Sequence, residues 1–186
     1  EAVDSFETLL DDVKETQPPE RPLACGAGCD HCCKSLPEIT VTAVETFRLA
    51  NFISENFEPA RIDALIKTLA NEPDRTTSWP LAPCPLLNDG RCSVYEARPL
   101  ICRGYNAYFV SDCEQVTQYK DAYKKVRYYD AQVQAAHITV GAIEKAADDA
   151  GLEPLLGDLR PALLTALTSP DARERWLNGE AVFRSA

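Results

Sequence analysis

The stretch Cys25-Gly26-Ala27-Gly28-Cys29-Asp30-His31-Cys32-Cys33 constrains this chain more than any other. It puts four of the eight cysteines into nine residues. Cys84, Cys92, Cys102 and Cys113 follow at wider spacing, and the last 73 residues contain none. Eight is an even number, so a disulfide framework has to be weighed. Disulfide-dense folds, however, are small, secreted and poor in core. A chain of 186 residues with 45% apolar content can bury a core without them. Metal ligation is therefore the preferred reading of the thiols.

Within the cluster, Cys29-x2-Cys32 has the spacing of a metal knuckle. Two intervening residues let both sulfurs face one ion while nearby backbone amides turn toward them. Gly26 and Gly28 allow the backbone to curl between Cys25 and Cys29. Cys33 adjoins Cys32, so in regular backbone the two side chains point different ways. The pair either serves two sites or places one thiol outside the ligand set. Eight thiols suffice for two four-sulfur sites, zinc or iron–sulfur, and equally for one such site plus structural thiols. His31 could replace a sulfur, but enough cysteines exist without it; His137 and Asp30 read as ordinary helix and turn residues. Cys25-x3-Cys29-x2-Cys32 is also the spacing by which radical-SAM enzymes hold a [4Fe–4S] cluster. Those enzymes need a strand–helix alternation and a length that this chain lacks.

Charge narrows the partners. Acidic residues outnumber basic ones 29 to 19, a net −10, and no concentrated basic face is present, which argues against nucleic acid. No apolar run approaches the ~18–20 residues of a membrane span, and no signal-peptide pattern opens the chain. The expected location is cytoplasmic, with any protein partner unidentified. The chain lacks methionine even at position 1, so its start reads as processed or trimmed.

The periodicity is helical. Phe6, Leu9, Leu10 and Val13 predict an amphipathic helix over 4–16, capped by Asp4 or Ser5 and closed by Pro18, Pro19 and Pro22. Thr42-x-x-Glu45 is a capping box opening a helix with Phe47, Leu49, Phe52, Ile53 and Phe57 on its apolar face. Pro59 starts the next, with Ile62, Leu65, Ile66 and Leu69 inward. Residues 74–92 read as loop with a turn at Asn88-Asp89-Gly90; short strands around Leu86-Leu87 or Arg91-Cys92 are conceivable, but no sheet is expected. Ser93-x-x-Glu96 is a second capping box, for a short helix interrupted by Pro99. A long helical segment is expected from Cys113 to Gly151, with Val116, Tyr119, Tyr123, Val126, Val133 and Val140 as its seam and a kink at Ile138–Gly141. Helices around 158–168, with Leu159, Leu163 and Leu167 buried, and 170–178, with Ser169-Pro170 as cap and Trp176 and Leu177 as anchors, complete the chain. The fold class is all-α, a small helical domain with an irregular cysteine-rich metal-binding region. Its expected parts are an N-terminal arm (1–24), a metal-binding core (25–113) and a C-terminal helical region (114–186) packed on it as one unit.

The downstream cysteines complete a recognisable pattern. They occur as Cys84-Pro85-Leu86-Leu87 and as Cys92-Ser-Val-Tyr95-Glu-Ala-Arg98-Pro99-Leu-Ile-Cys102-Arg103, with Cys113 ten residues on. Over residues 25–113 this resembles the CxxCxxCC, or YkgJ-type, family of zinc- or iron-chelating proteins. Its marks are a cysteine cluster ending in a vicinal pair, a CPxL-like segment, a C-x-[IV]-Y-x-x-R-P-x-x-C-R stretch and a final cysteine. Cys25, Cys29, Cys32, Cys33, Cys84, Cys92, Cys102 and Cys113 fill the eight cysteine places; the first spacing has three intervening residues where some members have two. The resemblance implies a zinc or iron–sulfur ([4Fe–4S]) centre held by these thiols. The cluster is also similar to that of flagellin lysine N-methylase, which implies an iron–sulfur-dependent protein-modifying enzyme as the alternative, although nothing marks a SAM pocket. A thiol-based metal-handling protein is the third reading, and whether there is catalysis is left open. Beside a centre of net charge −2, Arg98 and Arg103 would offset charge and donate to sulfur. Tyr95 and Pro99 would hold the turn and pack beside it.

Overall fold

The structure is a computed structural model that describes residues 2–26, 28–73, 81–119 and 125–183, with side chains from Phe6 onward. In chain order the elements are α1 (Ala2–Thr16), α2 (His31–Ser35), β1 (Thr40–Thr42), α3 (Ala43–Asn56), α4 (Pro59–Ala70), β2 (Leu87–Asn88) and β3 (Arg91–Cys92). A 3₁₀ turn at Tyr95–Ala97 precedes α5 (Leu100–Gly104), α6 (Val110–Gln118), α7 (Asp130–Asp149), β4 (Leu156–Asp158), α8 (Leu159–Thr168) and α9 (Ala172–Leu177). The protein is predominantly helical, as its periodicity requires. No helix among the described residues is long and apolar enough to cross a membrane.

Two compact units interleave along the chain. The first takes Glu1–Pro37, Pro73–Ser93 and Leu100–Thr139; the second takes Glu38–Glu72, Val94–Pro99 and Val140–Ala186. All eight cysteines belong to the first.

In the first unit α1 buries Phe6 and Leu10, while Leu9 stays exposed. The Tyr129 hydroxyl donates to the carbonyls of Val13 and Gln17 at the end of α1. The candidate caps Asp4 and Ser5 have side chains outside the described residues. Gly104 lies so close to α7 that an added Cβ would stand 2.3 Å from the Ala136 Cβ, so only glycine permits this approach of α5. Ala107, Val116 and Val126 form a buried cluster against which Cys113 and Tyr128 pack.

Two expectations for this unit are corrected. Residues 87–92 form an antiparallel ladder, Leu87 opposite Cys92 and Asn88 opposite Arg91. Asp89 and Gly90 both take positive φ (47° and 74°), the geometry of a two-residue type I′ hairpin whose twist matches the flanking strands. The long helical segment expected from Cys113 to Gly151 is two helices, α6 and α7, and the break is not at Ile138–Gly141 but earlier, with Val126–Tyr129 non-helical. The backbone there is engaged elsewhere. Tyr108 N–H donates to Arg127 C=O, Asp112 accepts from Arg127 N–H, and the Asn106 side chain takes both backbone groups of Tyr129. Of the proposed seam, Val116, Val126 and Val140 are buried and Val133 is half-buried. Tyr119 is 65% exposed at the end of α6, and Tyr123 lies outside the described residues. No break occurs at Ile138–Gly141; α7 runs through to a Schellman ending, with Leu152 N–H on Ala147 C=O and Gly151 at φ 72°.

In the second unit the Thr42–Glu45 capping box forms in full, buried: Glu45 N–H donates to Thr42 Oγ1 and Thr42 N–H to Glu45 Oε2. Such a cap is worth about 1 kcal/mol. β1 pairs antiparallel with β4, Thr40 opposite Asp158. Strands of three residues are too short to show alternation, so this ladder has no periodicity to reveal it. Asp158 caps α8 and, with Glu72, flanks the buried Arg160 guanidinium. Phe47 packs on Trp176 and Phe183. Leu159 and Leu163 are buried and Leu167 half-buried, but Leu177 is 51% exposed. α9 starts after Asp171 rather than at Ser169-Pro170, because Ala172 N–H is taken by Ser169 C=O in a turn. The second predicted capping box does not form either: Ser93 Oγ donates to Leu86 C=O, and the segment it was to cap is only a 3₁₀ turn.

Candidate metal centre

The cysteine segment is tied into the first unit at its entrance, where Ala24 N–H donates to Ala107 C=O (2.9 Å). Cys25 and Cys29 follow on an open turn closed by Cys29 N–H to Gly26 C=O (3.1 Å). Gly28 has φ 88°, and neither Gly26 nor Gly28 has a heavy atom within 4 Å of where a Cβ would stand. The two thiols are exposed. Asp30 then starts α2, its carboxylate held by Lys34 (2.6 Å), one helical turn on. His31, Cys32 and Cys33 lie in the first turn of α2, which packs on α6, the helix that carries Cys113.

The downstream thiols enter through the loop and hairpin. Cys84 is buried; its N–H donates to Cys33 C=O (2.6 Å), and its own carbonyl accepts from Leu87 N–H (2.9 Å). Leu87 is the ladder partner of Cys92. Cys102 lies on α5. Cys32, Cys33, Cys92, Cys102 and Cys113 are half-buried. None of the eight is in a disulfide.

Burial pushes the Cys113 thiol up to about 11, with the charges of Cys25, Cys29, Asp112 and Glu114 adding to the rise. Cys113 is therefore at ease as a thiolate only beside a cation. In donor chemistry these residues fit zinc or iron. Among the described residues no three His, Cys, Asp or Glu side chains stand together as a ready-made ligand set. The chain brings the thiols into one unit without closing them into a polyhedron.

Beside Cys113 lies a tyrosine pair that periodicity does not reveal. The Tyr105 and Tyr128 hydroxyls share a hydrogen bond of 2.8 Å, with the rings edge to face at 5.3 Å. Burial raises the Tyr105 hydroxyl far above the phenol range; Tyr128 and the charges of Cys113 and Cys32 raise it further, so it stays neutral. Asp112, adjacent to Cys113, clamps Arg127 through Nε (2.9 Å), Nη2 (2.6 Å) and the backbone N–H (3.1 Å). The Arg127 guanidinium also lies 3.7 Å over the Phe109 ring. These partners are close in space yet 15 to 23 residues apart, beyond any helical spacing rule.

The Arg127 hydrogen bonds hold the Asp112 carboxyl below its usual range. A carboxylate with a lowered folded-state pKa contributes stability that is complete above the unfolded value of about 4 and fades as pH falls through the folded one. Asp112→Asn should therefore melt below the unaltered protein at neutral pH, with the gap narrowing as pH falls below about 4. Paired melting curves across pH check this; a gap that is constant with pH would contradict the ionic role.

Of the arginines proposed to face the centre, Arg103 is in the thiol-bearing unit, its side chain only 9% exposed and paired with Glu7 of α1. Arg98 belongs to the second unit, where its guanidinium lies 3.9 Å over the ring of Tyr95, which is 55% exposed. His137 is exposed on α7.

Residues 24–129, more than half of the chain, match the model of a family described as a putative zinc- or iron-chelating domain. The matched segment includes every cysteine. No curated protein and no solved structure matches the chain.

Proposed function

The chain belongs to the CxxCxxCC family, and on that premise we propose that it is a metal-binding protein whose first unit holds zinc or an iron–sulfur centre through cysteine thiolates. The observation that carries this reading is the gathering of all eight cysteines into one of two units with no disulfide among them. Soft thiolates select zinc, iron–sulfur or copper(I) over hard cations. Cys25, Cys29, Cys32, Cys33, Cys84, Cys92, Cys102 and Cys113 are the ligand candidates. Arg103 is the guanidinium in the same unit whose charge would offset theirs.

When bound, the metal supplies the positive charge that lets neighbouring thiols ionise together. The chain's own residues do the rest. α2 and α6 fix Cys32 and Cys113, the hairpin fixes Cys92, and the glycine turn leaves Cys25 and Cys29 able to close. That the cysteines are followed in the chain by long helices favours a held centre over one that is passed on.

The test is metal and sulfide analysis of protein purified without oxygen, with an absorption spectrum. A broad band near ~400 nm with acid-labile sulfide identifies iron–sulfur; a colourless protein with stoichiometric zinc identifies a zinc site. Protein that carries neither, and that takes up neither zinc nor iron when supplied, would overturn the reading.

A further inference from the structure

We propose that the vicinal pair is divided between two four-thiolate sites, one formed by Cys25, Cys29, Cys32 and Cys113 and the other by Cys33, Cys84, Cys92 and Cys102. The proposal rests on the metal-binding reading above and goes beyond it in number of sites and assignment of ligands.

The division begins with α2. Cys32 and Cys33 are consecutive residues of a helix, so their side chains leave the axis about 100° apart. Two sulfurs diverging in this way do not converge on one ion without unwinding the helix, and each has its own neighbours. On the Cys32 side, α2 packs on α6, which carries Cys113. Cys29 stands at knuckle spacing from Cys32, and Cys25 lies on the same turn, closed by Cys29 N–H on Gly26 C=O (3.1 Å). On the Cys33 side, the backbone runs in sequence through the other thiols. Cys33 C=O accepts from Cys84 N–H (2.6 Å), Cys84 C=O accepts from Leu87 N–H (2.9 Å), and Leu87 faces Cys92 across the hairpin. Cys102 of α5 is the remaining thiol of the unit and completes this second set. Its substitution is the sharpest single check on the membership.

The two sets differ in how they are held. Three of the second set's positions are fixed by a helix, a buried loop and a type I′ hairpin. Two of the first set, Cys25 and Cys29, are exposed on a glycine turn with open space on its outer side. The first site should therefore assemble when metal draws that turn inward. Neither set forms a closed ligand trio among the described residues, so the second set too would tighten around its metal.

The test uses the full chain, stripped of metal under reducing, oxygen-free conditions and titrated with cobalt(II). Tetrahedral cobalt bound by thiolates has intense sulfur-to-metal and d–d absorption and reports single-ion four-cysteine sites; for a chain that instead takes up iron and sulfide, the same count of sites is read from the iron and sulfide bound per chain. The expected result is saturation at two equivalents per chain. Cys32→Ser and Cys113→Ser should each remove about half of the absorption, and the same half, so that combining them removes no more. Cys33→Ser and Cys102→Ser should remove the other half, and Cys32→Ser with Cys33→Ser should remove nearly all. The cadmium-loaded unaltered protein, which needs no substitution to fold, should give two cadmium resonances. Saturation at one equivalent, a single resonance, or full cobalt absorption in Cys33→Ser would overturn the division while leaving the metal-binding reading intact. Failure of the unaltered chain to bind cobalt, cadmium, zinc or iron would overturn both.

Discussion

Replacing Asn106 by alanine should lower the melting temperature by on the order of 10 °C, the largest effect expected of any single substitution outside the cysteines. Asn106 is 1% exposed. Its Nδ2 donates to Gly104 C=O (2.9 Å) and Tyr129 C=O (3.2 Å), and its Oδ1 accepts from Tyr129 N–H (2.8 Å). One amide thus replaces the ladder or helix that would otherwise satisfy Tyr129. Truncation leaves these buried groups unpaired, at a combined cost of about 3 kcal/mol. The side chain also holds residues 126–129 beside 104–108, which sets Tyr128 against Tyr105 and Cys113. Asn106→Asp, measured at a pH where the acid is neutral, keeps the acceptor for Tyr129 N–H and, in its O–H, one of the two donors, and should fall between alanine and the unaltered protein. Thermal melts of the three proteins check the ordering. A shift under about 2 °C for Asn106→Ala would show that the segment is held by other means.

The second large effect is expected from the thiols. Metal bound only by the folded state stabilises it by mass action, about 2.7 kcal/mol when free metal stands at a hundredfold over the dissociation constant. Cys29→Ser and Cys32→Ser should therefore lose metal and melt several degrees lower, and chelation of the unaltered protein should have a similar effect. The glycine turn has almost no packing of its own to hold Cys29, so its stability should follow metal content closely. Variants with full metal content and an unchanged melting temperature would remove Cys29 and Cys32 from the ligand set.

How much of this was legible in the residues depended on the range of the contacts. Helices with local signals were readable: the Thr42–Glu45 box closes as its spacing demands, and the proline at 59 opens α4. The even, clustered cysteines pointed to ligation, and their gathering in one unit accords with that. The break between α6 and α7 was not readable, because it is set by Asn106, Tyr108 and Asp112 capturing the backbone of a distant segment. Local propensity there favoured helix, and tertiary hydrogen bonds overrode it. The Asp-Gly hairpin was signalled by its turn residues, yet strands of two residues leave no alternation to detect. Ser93-x-x-Glu96 carried a cap signature with no helix long enough to need it; its hydroxyl found Leu86 C=O instead. The Tyr105–Tyr128 pair, 23 residues apart, had no sequence signal at all.

The central claim is that these thiols hold metal, and differential alkylation measures it most directly. Protein prepared without oxygen is treated with a thiol reagent before and after metal removal, and the modified cysteines are located by mass spectrometry. Cys25 and Cys29 are the informative pair, since both are exposed among the described residues. The account predicts that they react slowly while metal is bound and rapidly once it is removed. Equal, rapid modification of Cys25 and Cys29 in both preparations would contradict it.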